Sequence, residues 1–413
     1  MLPRKRIITI VIASLAAVLL IAGGIWYYRN YVGKEDISIT SIGQLDYEWQ
    51  KIASDDGIVG EYIWQRTTNL MIRGDEVMIP SWHMIPGRLS YQTEQTSDEY
   101  LLEDQATLLR MYVKASDRME ATSLVNRVYE YFDMSAQNNA AKSEWLSAFC
   151  EYYSRFGKVS DIDRIKDMIG LLFEEDGTYK TEVLSSAVYH QGSFVSLAEP
   201  DEDYVEGSLT QLPGNGEDEQ QEFEGIRLSS VDLSLVRDLE NAELLPEGAF
   251  QKNLDAVLGG MVSDDINLYA FAYKYTPDLD EPISYIYSAE SANSVSITES
   301  VRTMRHLAEV DQLPVVAYTW IKNAVLNSGY LRDHYYYAIG TTDGDEAMDC
   351  YIDLMIVSYL QQDSALYSKI SESIGRRVAT YTDSPALSMV YREVNGRFIV
   401  LASENLRLTE LIY

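Results

Sequence analysis

The chain has 413 residues, 46% of them hydrophobic and 11% aromatic, so it can fill a core and global disorder is excluded. A formal net charge of −31 repels a phosphate backbone and rules against a nucleic-acid partner. Cys150 and Cys350 lie far apart in helix-like apolar patterns, which excludes a disulfide framework and leaves both as small buried hydrophobes.

Arg4, Lys5 and Arg6 stand ahead of an uncharged run from Ile7 to Tyr28. About 20 apolar residues rising 1.5 Å each span a hydrocarbon layer of about 30 Å, and Trp26, Tyr27 and Tyr28 supply an aromatic belt at one interface. The basic residues on the N-terminal side place that end in the cytoplasm. The expected organisation is a cytoplasmic tail at 1–6, a transmembrane anchor at 7–28, a linker at 29–43 and one extracellular domain at 44–413. The competing reading is a cleaved signal peptide. Against it, the apolar run is long for such a peptide, and "GGIWYYRNY" puts bulky aromatics where a small-residue cleavage site would stand.

Between Lys34 and Ser97 the pattern is mixed, and Pro80, Pro86 and Gly87 break any long helix. Amphipathic segments of helix length then follow near 98–115, 118–133, 138–156, 160–174, 229–241, 247–259, 293–310, 314–327, 344–361 and 364–380. Trp145, Phe149 and Tyr152 recur at i, i+4 and i+7, one face of a helix. Short breaks such as "KASD" and "DQLP" fit antiparallel helix pairs. The fold expected is mainly α, a toroid of helical hairpins or (α/α)6 barrel, with an irregular helical bundle as the alternative. The acidic stretch 199–224 reads as a solvated loop. At the C-terminus, alternation around Asn395-Gly396 predicts a β-hairpin packed on the helices.

The sequence has no phosphate-binding loop, no dinucleotide-binding turn and no nucleophile elbow. The four histidines, His83, His190, His306 and His334, are scattered and form no metal-binding pair, so no metal or cofactor is expected. Carboxylates and aromatics on a helical frame point to carbohydrate chemistry. Glycoside hydrolysis needs one carboxyl that holds its proton and a second that activates water or attacks. Glu103, Asp104 and Gln105 open a predicted helix, where acidic residues also suit the helix dipole.

The run "PGRLSYQTEQTSDEYLLEDQATLLRMYVKASD" resembles the start of glycoside hydrolase family 8. That family carries a "G-R-V-x-[DY]" segment followed by an "S-E-G-Q-[SA]-Y-[GA]-M" helix start, whose Glu is the general acid. Here "GRLSY" spans Gly87 to Tyr91, and the helix start falls on Leu102 to Leu109, with Glu103 and Gln105 matching and Leu102 and Asp104 departing. The family's Asp-x-Asp helix start falls on Lys142 and Glu144, and its "Y-D-A-x-R" motif on Thr298 to Arg302, with Glu299 at the base position.

The resemblance implies an inverting, endo-acting glycosidase with Glu103 as acid and Glu299 as base. Asp104, Gln105, Glu144 and Arg302 would contact the substrate, with Trp82 and Tyr91 stacking on sugar rings. The substrate implied is a β-linked polysaccharide, an exopolysaccharide or cellulose-like polymer, and a polysaccharide synthase complex is the partner implied. The alternative is a glycan-binding accessory protein that has lost catalysis, for which Lys142 and the lengthened base at Glu299 are the signs.

Overall fold

The computed structural model describes residues 18–25, 27–28, 30–32, 34–39, 60–74, 76–86, 93–186, 221–262, 266–275, 283–287, 294–336, 342–380, 384–394 and 397–412. Twelve α-helices lie between residues 60 and 412 of these. They are α1 (Gly60–Met71), α2 (Leu102–Lys114), α3 (Arg118–Tyr131), α4 (Asn139–Arg155), α5 (Asp161–Leu172) and α6 (Leu233–Asn241). Then come α7 (Ala249–Leu258), α8 (Ile297–Glu309), α9 (Val315–Ser328), α10 (Tyr351–Leu360), α11 (Ser364–Gly375) and α12 (Ala402–Ile412).

The even-numbered helices form an inner ring. α4 packs on α2 and reaches α6 through the 3-10 turn Leu228–Ser230; α8 packs on α6 and α10; α12 packs on α10 and closes back onto α2. The odd-numbered helices flank them, α1 on α12, α3 on α2, α5 on α4, α7 on α6, and α9 on α11, which lies on α10. Burial follows this division: α4 buries 13 of its 17 residues and α3 only four of 14. Trp145 and Phe149 stack at 6.2 Å and are fully buried, as the spacing of the apolar face predicts.

Side-chain caps set where several helices start. Asp117 accepts from Glu120 N at 3.2 Å, Asn138 from Ala141 N at 2.8 Å and Asp232 from Leu235 N at 2.9 Å. Each of the ten helical segments expected from periodicity holds a helix. Two expected helices begin too early: 294–296 and 342–346 are strands. α1 and α12 were not expected, and without α12 the ring would stay open.

Eleven short strands form three antiparallel sheets among the described residues. The first joins β1 (Trp82–Pro86) and β2 (Gln95–Thr96) to β10 (Arg392–Val394) and β11 (Arg397–Leu401), in the order β10-β11-β1-β2. β10 and β11 are the predicted C-terminal hairpin, and β11 also ties the chain's end to β1, with Trp82 opposite Leu401. The second comprises β3 (Glu182–Ser186), β4 (Gln221–Arg227), β5 (Ala272–Tyr275) and β6 (Ile283–Ile286). The third comprises β7 (Ser294–Ser296), β8 (Arg332–Tyr336) and β9 (Thr342–Glu346). Most of the acidic stretch 199–224 lies outside the described residues; its last four residues belong to β4.

Residues 18–25 are helical, and Val18, Leu19, Leu20, Ile21 and Ile25 are 63–76% exposed. Residues 7–17 of the expected anchor lie outside the described residues, and among the described residues no helix is long and apolar enough to cross a membrane. The segment read as a linker does not stand free where it is described. Ile37 is buried in the main core, Lys34 Nζ donates to Ser154 O at 2.8 Å, and Glu35 pairs with Lys166 at 2.9 Å.

Candidate active site

The N-terminal ends of α2, α4, α6 and α12, with residues of α8, gather at one mouth of the ring around a small pocket open to solvent. Four inner helices contribute: Glu103, Asp104 and Thr107 from α2, Ser143 and Glu144 from α4, Ser403 and Arg407 from α12, and from α8 Arg302 with His306 of its last turn. The 3-10 turn adds Ser229 and Ser230, and the α6 cap adds Asp232. Helix N-termini carry partial positive charge, so this mouth suits carboxylates and a ligand rich in oxygen acceptors.

Glu103 and Asp104 are neighbours with different surroundings. Glu103 is half-buried on the pocket wall, whereas Asp104 is 1% exposed and its Oδ2 has no hydrogen-bond partner. Burial pushes the Asp104 carboxyl well above the usual carboxylate range, and the charge of Glu103 adds to the rise. Neither residue caps the helix: the N-cap is Leu101, which makes no side-chain capping bond. Dipole stabilisation alone does not account for a carboxyl buried without a partner.

Below the mouth the centre of the ring is ionic. Arg110 Nη1 donates to Glu144 Oε2 at 2.7 Å, and its Nε lies 3.4 Å from Glu151 and 3.8 Å from Glu410. Arg305 pairs with Glu309 at 2.7 Å, Asp353 at 3.1 Å and Glu144 at 3.7 Å. Arg407 also meets Asp353, which is fully buried. Burial alone would raise the Glu144 carboxyl, but the guanidiniums of Arg110, Arg305 and Arg407 hold it far below the usual range.

Of the residues expected from sequence, Glu103, Asp104, Glu144 and Arg302 line this one pocket. Glu299 is not among the lining residues, although its side chain is 23% exposed. It bonds the hydroxyl of Ser229, a pocket residue, and its Oε1 is 3.5 Å from Arg227. Gln105 is fully buried and does not face the pocket. Its side-chain amide clasps the backbone of Ile79, accepting from Ile79 N at 2.9 Å and donating to Ile79 O at 2.8 Å. This makes Gln105 a brace between α2 and the segment ahead of β1, where the resemblance implied a substrate contact. Trp82 and Lys142 are not among the lining residues, and Tyr91 lies outside the described residues.

Sequence reasoning missed Asp232, His306, Ser229, Ser230, Ser403 and Arg407. His306 had looked like one scattered histidine among four. In the fold its Nδ1 lies 3.4 Å from Glu309 Oε2 and 4.0 Å from Asp232 Oδ1. Among the described residues these three form the one trio of His, Cys, Asp or Glu ligand atoms within 4.8 Å of one another. Arg305 already places a positive charge on Glu309 there. The signal for Asp232 was the "SSVD" capping pattern ahead of α6; Arg407 had no signal, since α12 was not expected.

No protein-family model matches the chain, and no curated protein matches it. Solved structures do resemble it. A novel alpha-amylase from Clostridium perfringens superposes with a TM-score of 0.59 at 13% identity, covering 87% of this chain and 96% of the other. PssZ from Listeria monocytogenes superposes with a TM-score of 0.50 at 8% identity, covering 84% and 93%. A reducing-end-xylose releasing exo-oligoxylanase reaches 0.47 at 9% identity, covering 89% and 93%. The first two share the mainly helical fold of this chain.

Proposed function

We propose that the chain is a glycoside hydrolase related to family 8, with the helical ring as an (α/α)6 glycosidase barrel and Glu103 as the general acid. The observation that carries this reading is Glu103 beside the buried Asp104, on the wall of a pocket at the N-terminal mouth of the ring. A glycosidase acid must reach the leaving oxygen from the wall of the substrate pocket, and Glu103 is the half-buried carboxyl that lines it there. Ser143, Ser229, Ser230 and Arg302 on the facing walls offer donors and acceptors for sugar hydroxyls.

The substrate class we propose is a polysaccharide, β-linked as the resemblance implies. An α-glucan is the rival, favoured by the alpha-amylase among the structural neighbours. Tethering through residues 7–28 would place the enzyme at the cell surface, beside a polysaccharide synthase complex. The apolar side chains exposed along 18–25 support the tether, since they have no protein core to cover them.

The test is reducing-end release by the purified full chain from carboxymethyl-cellulose, xylan and soluble starch. Glu103→Gln should lower kcat by about 10²–10⁴, the range for losing a general acid, while leaving binding of the same polymer measurable. Binding without release by the unaltered chain supports the accessory, non-catalytic reading instead.

A further inference from the structure

An inverting glycosidase needs a second carboxylate across the pocket from its acid, with room for one water between them. Four carboxyl residues line this pocket: Glu103, Asp104, Glu144 and Asp232. Asp104 follows Glu103 on the same turn of α2 and is sealed from solvent, so it cannot stand opposite. Glu144 is held by Arg110 at 2.7 Å and Arg305 at 3.7 Å, which commits its charge to the ionic core. Glu299 is not among the lining residues, and its carboxylate is engaged by Arg227 and by the hydroxyl of Ser229.

Asp232 is the remaining carboxylate, and its setting suits the task. Its Oδ1 is fixed by Leu235 N at 2.9 Å and Ser234 Oγ at 2.8 Å, which holds the side chain in one orientation at the pocket wall. His306 Nδ1 approaches the same oxygen to 4.0 Å. Burial raises the carboxyl above the usual range, offset in part by His306, so it is a stronger base than a surface aspartate.

Asp232 caps α6, two places round the ring from the α2 that carries Glu103, and both residues line the same pocket.

We infer that Asp232 is the general base of this site. This rests on the glycosidase reading above and names its missing half. Asp232 takes a proton from water as the water oxygen bonds to the anomeric carbon. The glycosidic C–O bond breaks, and Glu103 gives its proton to the departing oxygen. The cycle leaves Glu103 ionised and Asp232 protonated, and solvent exchange resets both.

The test compares Asp232→Asn with Glu299→Gln on whichever polymer of the three above the unaltered full chain hydrolyses. Asparagine caps a helix as well as aspartate, so Asp232→Asn should keep its melting temperature. The expected result is a fall in kcat of about 10³-fold or more with KM little changed. Azide, a small nucleophile that needs no base, should restore turnover and yield a glycosyl azide of inverted configuration. Asp232→Asn retaining more than a tenth of kcat overturns the inference, as does release of sugars with retained configuration or a comparable loss confined to Glu299→Gln. A full chain that hydrolyses none of the polymers overturns the enzyme reading itself, and this inference with it.

Discussion

Arg110 on α2 and Glu144 on α4 meet at 2.7 Å in the centre of the ring, with the Arg110 side chain only 7% exposed. One guanidinium there serves three carboxylates, Glu144, Glu151 and Glu410, drawn from α4 and α12. It therefore links three inner helices directly below the candidate acid.

Removing this cation strands negative charge in a buried site. Arg110→Met keeps much of the side-chain volume yet leaves the carboxylates uncompensated. The expected loss is about 3–5 kcal/mol in urea unfolding, the scale for breaking a buried ion pair from one side. A loss below about 1 kcal/mol would show that the network relaxes to solvent and does not set the ring's geometry.

Gln105 supports the site from behind. Its amide satisfies both the N–H and the C=O of Ile79, a residue that is itself fully buried. Gln105→Ala removes both partners at once and opens a cavity, so thermal unfolding should report a loss of about 2–4 kcal/mol. A variant that melts like the parent but loses substrate affinity would restore Gln105 to the substrate side.

Cys150 and Cys350 are free, fully buried, and have thiols pushed well up in pKa by burial. Neither should react with an aromatic disulfide reagent in the folded chain over a time in which both react in urea. Rapid labelling of one thiol without denaturant would reveal local opening of α4 or of the turn ahead of α10.

What the sequence made legible was periodic. Trp145, Phe149 and Tyr152 mark one buried face of α4, and Ile162, Ile165 and Leu172 mark that of α5, because helices bury a stripe that repeats with the turn. α12 gave no such sign. In "ASENLRLTELI" the buried set mixes Leu406, Leu408 and Leu411 with Glu404, which pairs with Arg392 on β10, and Asn405, which clasps the backbone of Val390. A helix that buries polar and apolar residues together shows no clean apolar stripe to detect. The site divided in the same way. Glu103 and Glu144 were found through a local motif, whereas Asp232, His306 and Arg407 converge on them through ring closure, at separations no local pattern encodes.

Glu151 offers a test of that ionic core through pH. Burial pushes its carboxyl up to about 7, with Arg110 opposing and Glu410 adding to the rise. The 3.4 Å approach of Arg110 does not offset burial, because the same guanidinium is shared with Glu144 and Glu410. The folded value lies above the unfolded value of about 4.3, so the fold favours the protonated form. Its stabilising contribution is complete below about pH 4.3 and is lost as pH rises through about 7. Glu151→Gln mimics the protonated group and removes this dependence. At pH 5 the variant and the parent should unfold at similar urea concentrations. At pH 8 the variant should be the more stable, by roughly 1–3 kcal/mol. Asp104 and Asp232, whose carboxyls are also raised, contribute a slope of the same sign to both proteins and cancel in the difference. Equal pH slopes for the two proteins would mean that Glu151 is ionised in the fold and that Arg110 balances all three carboxylates.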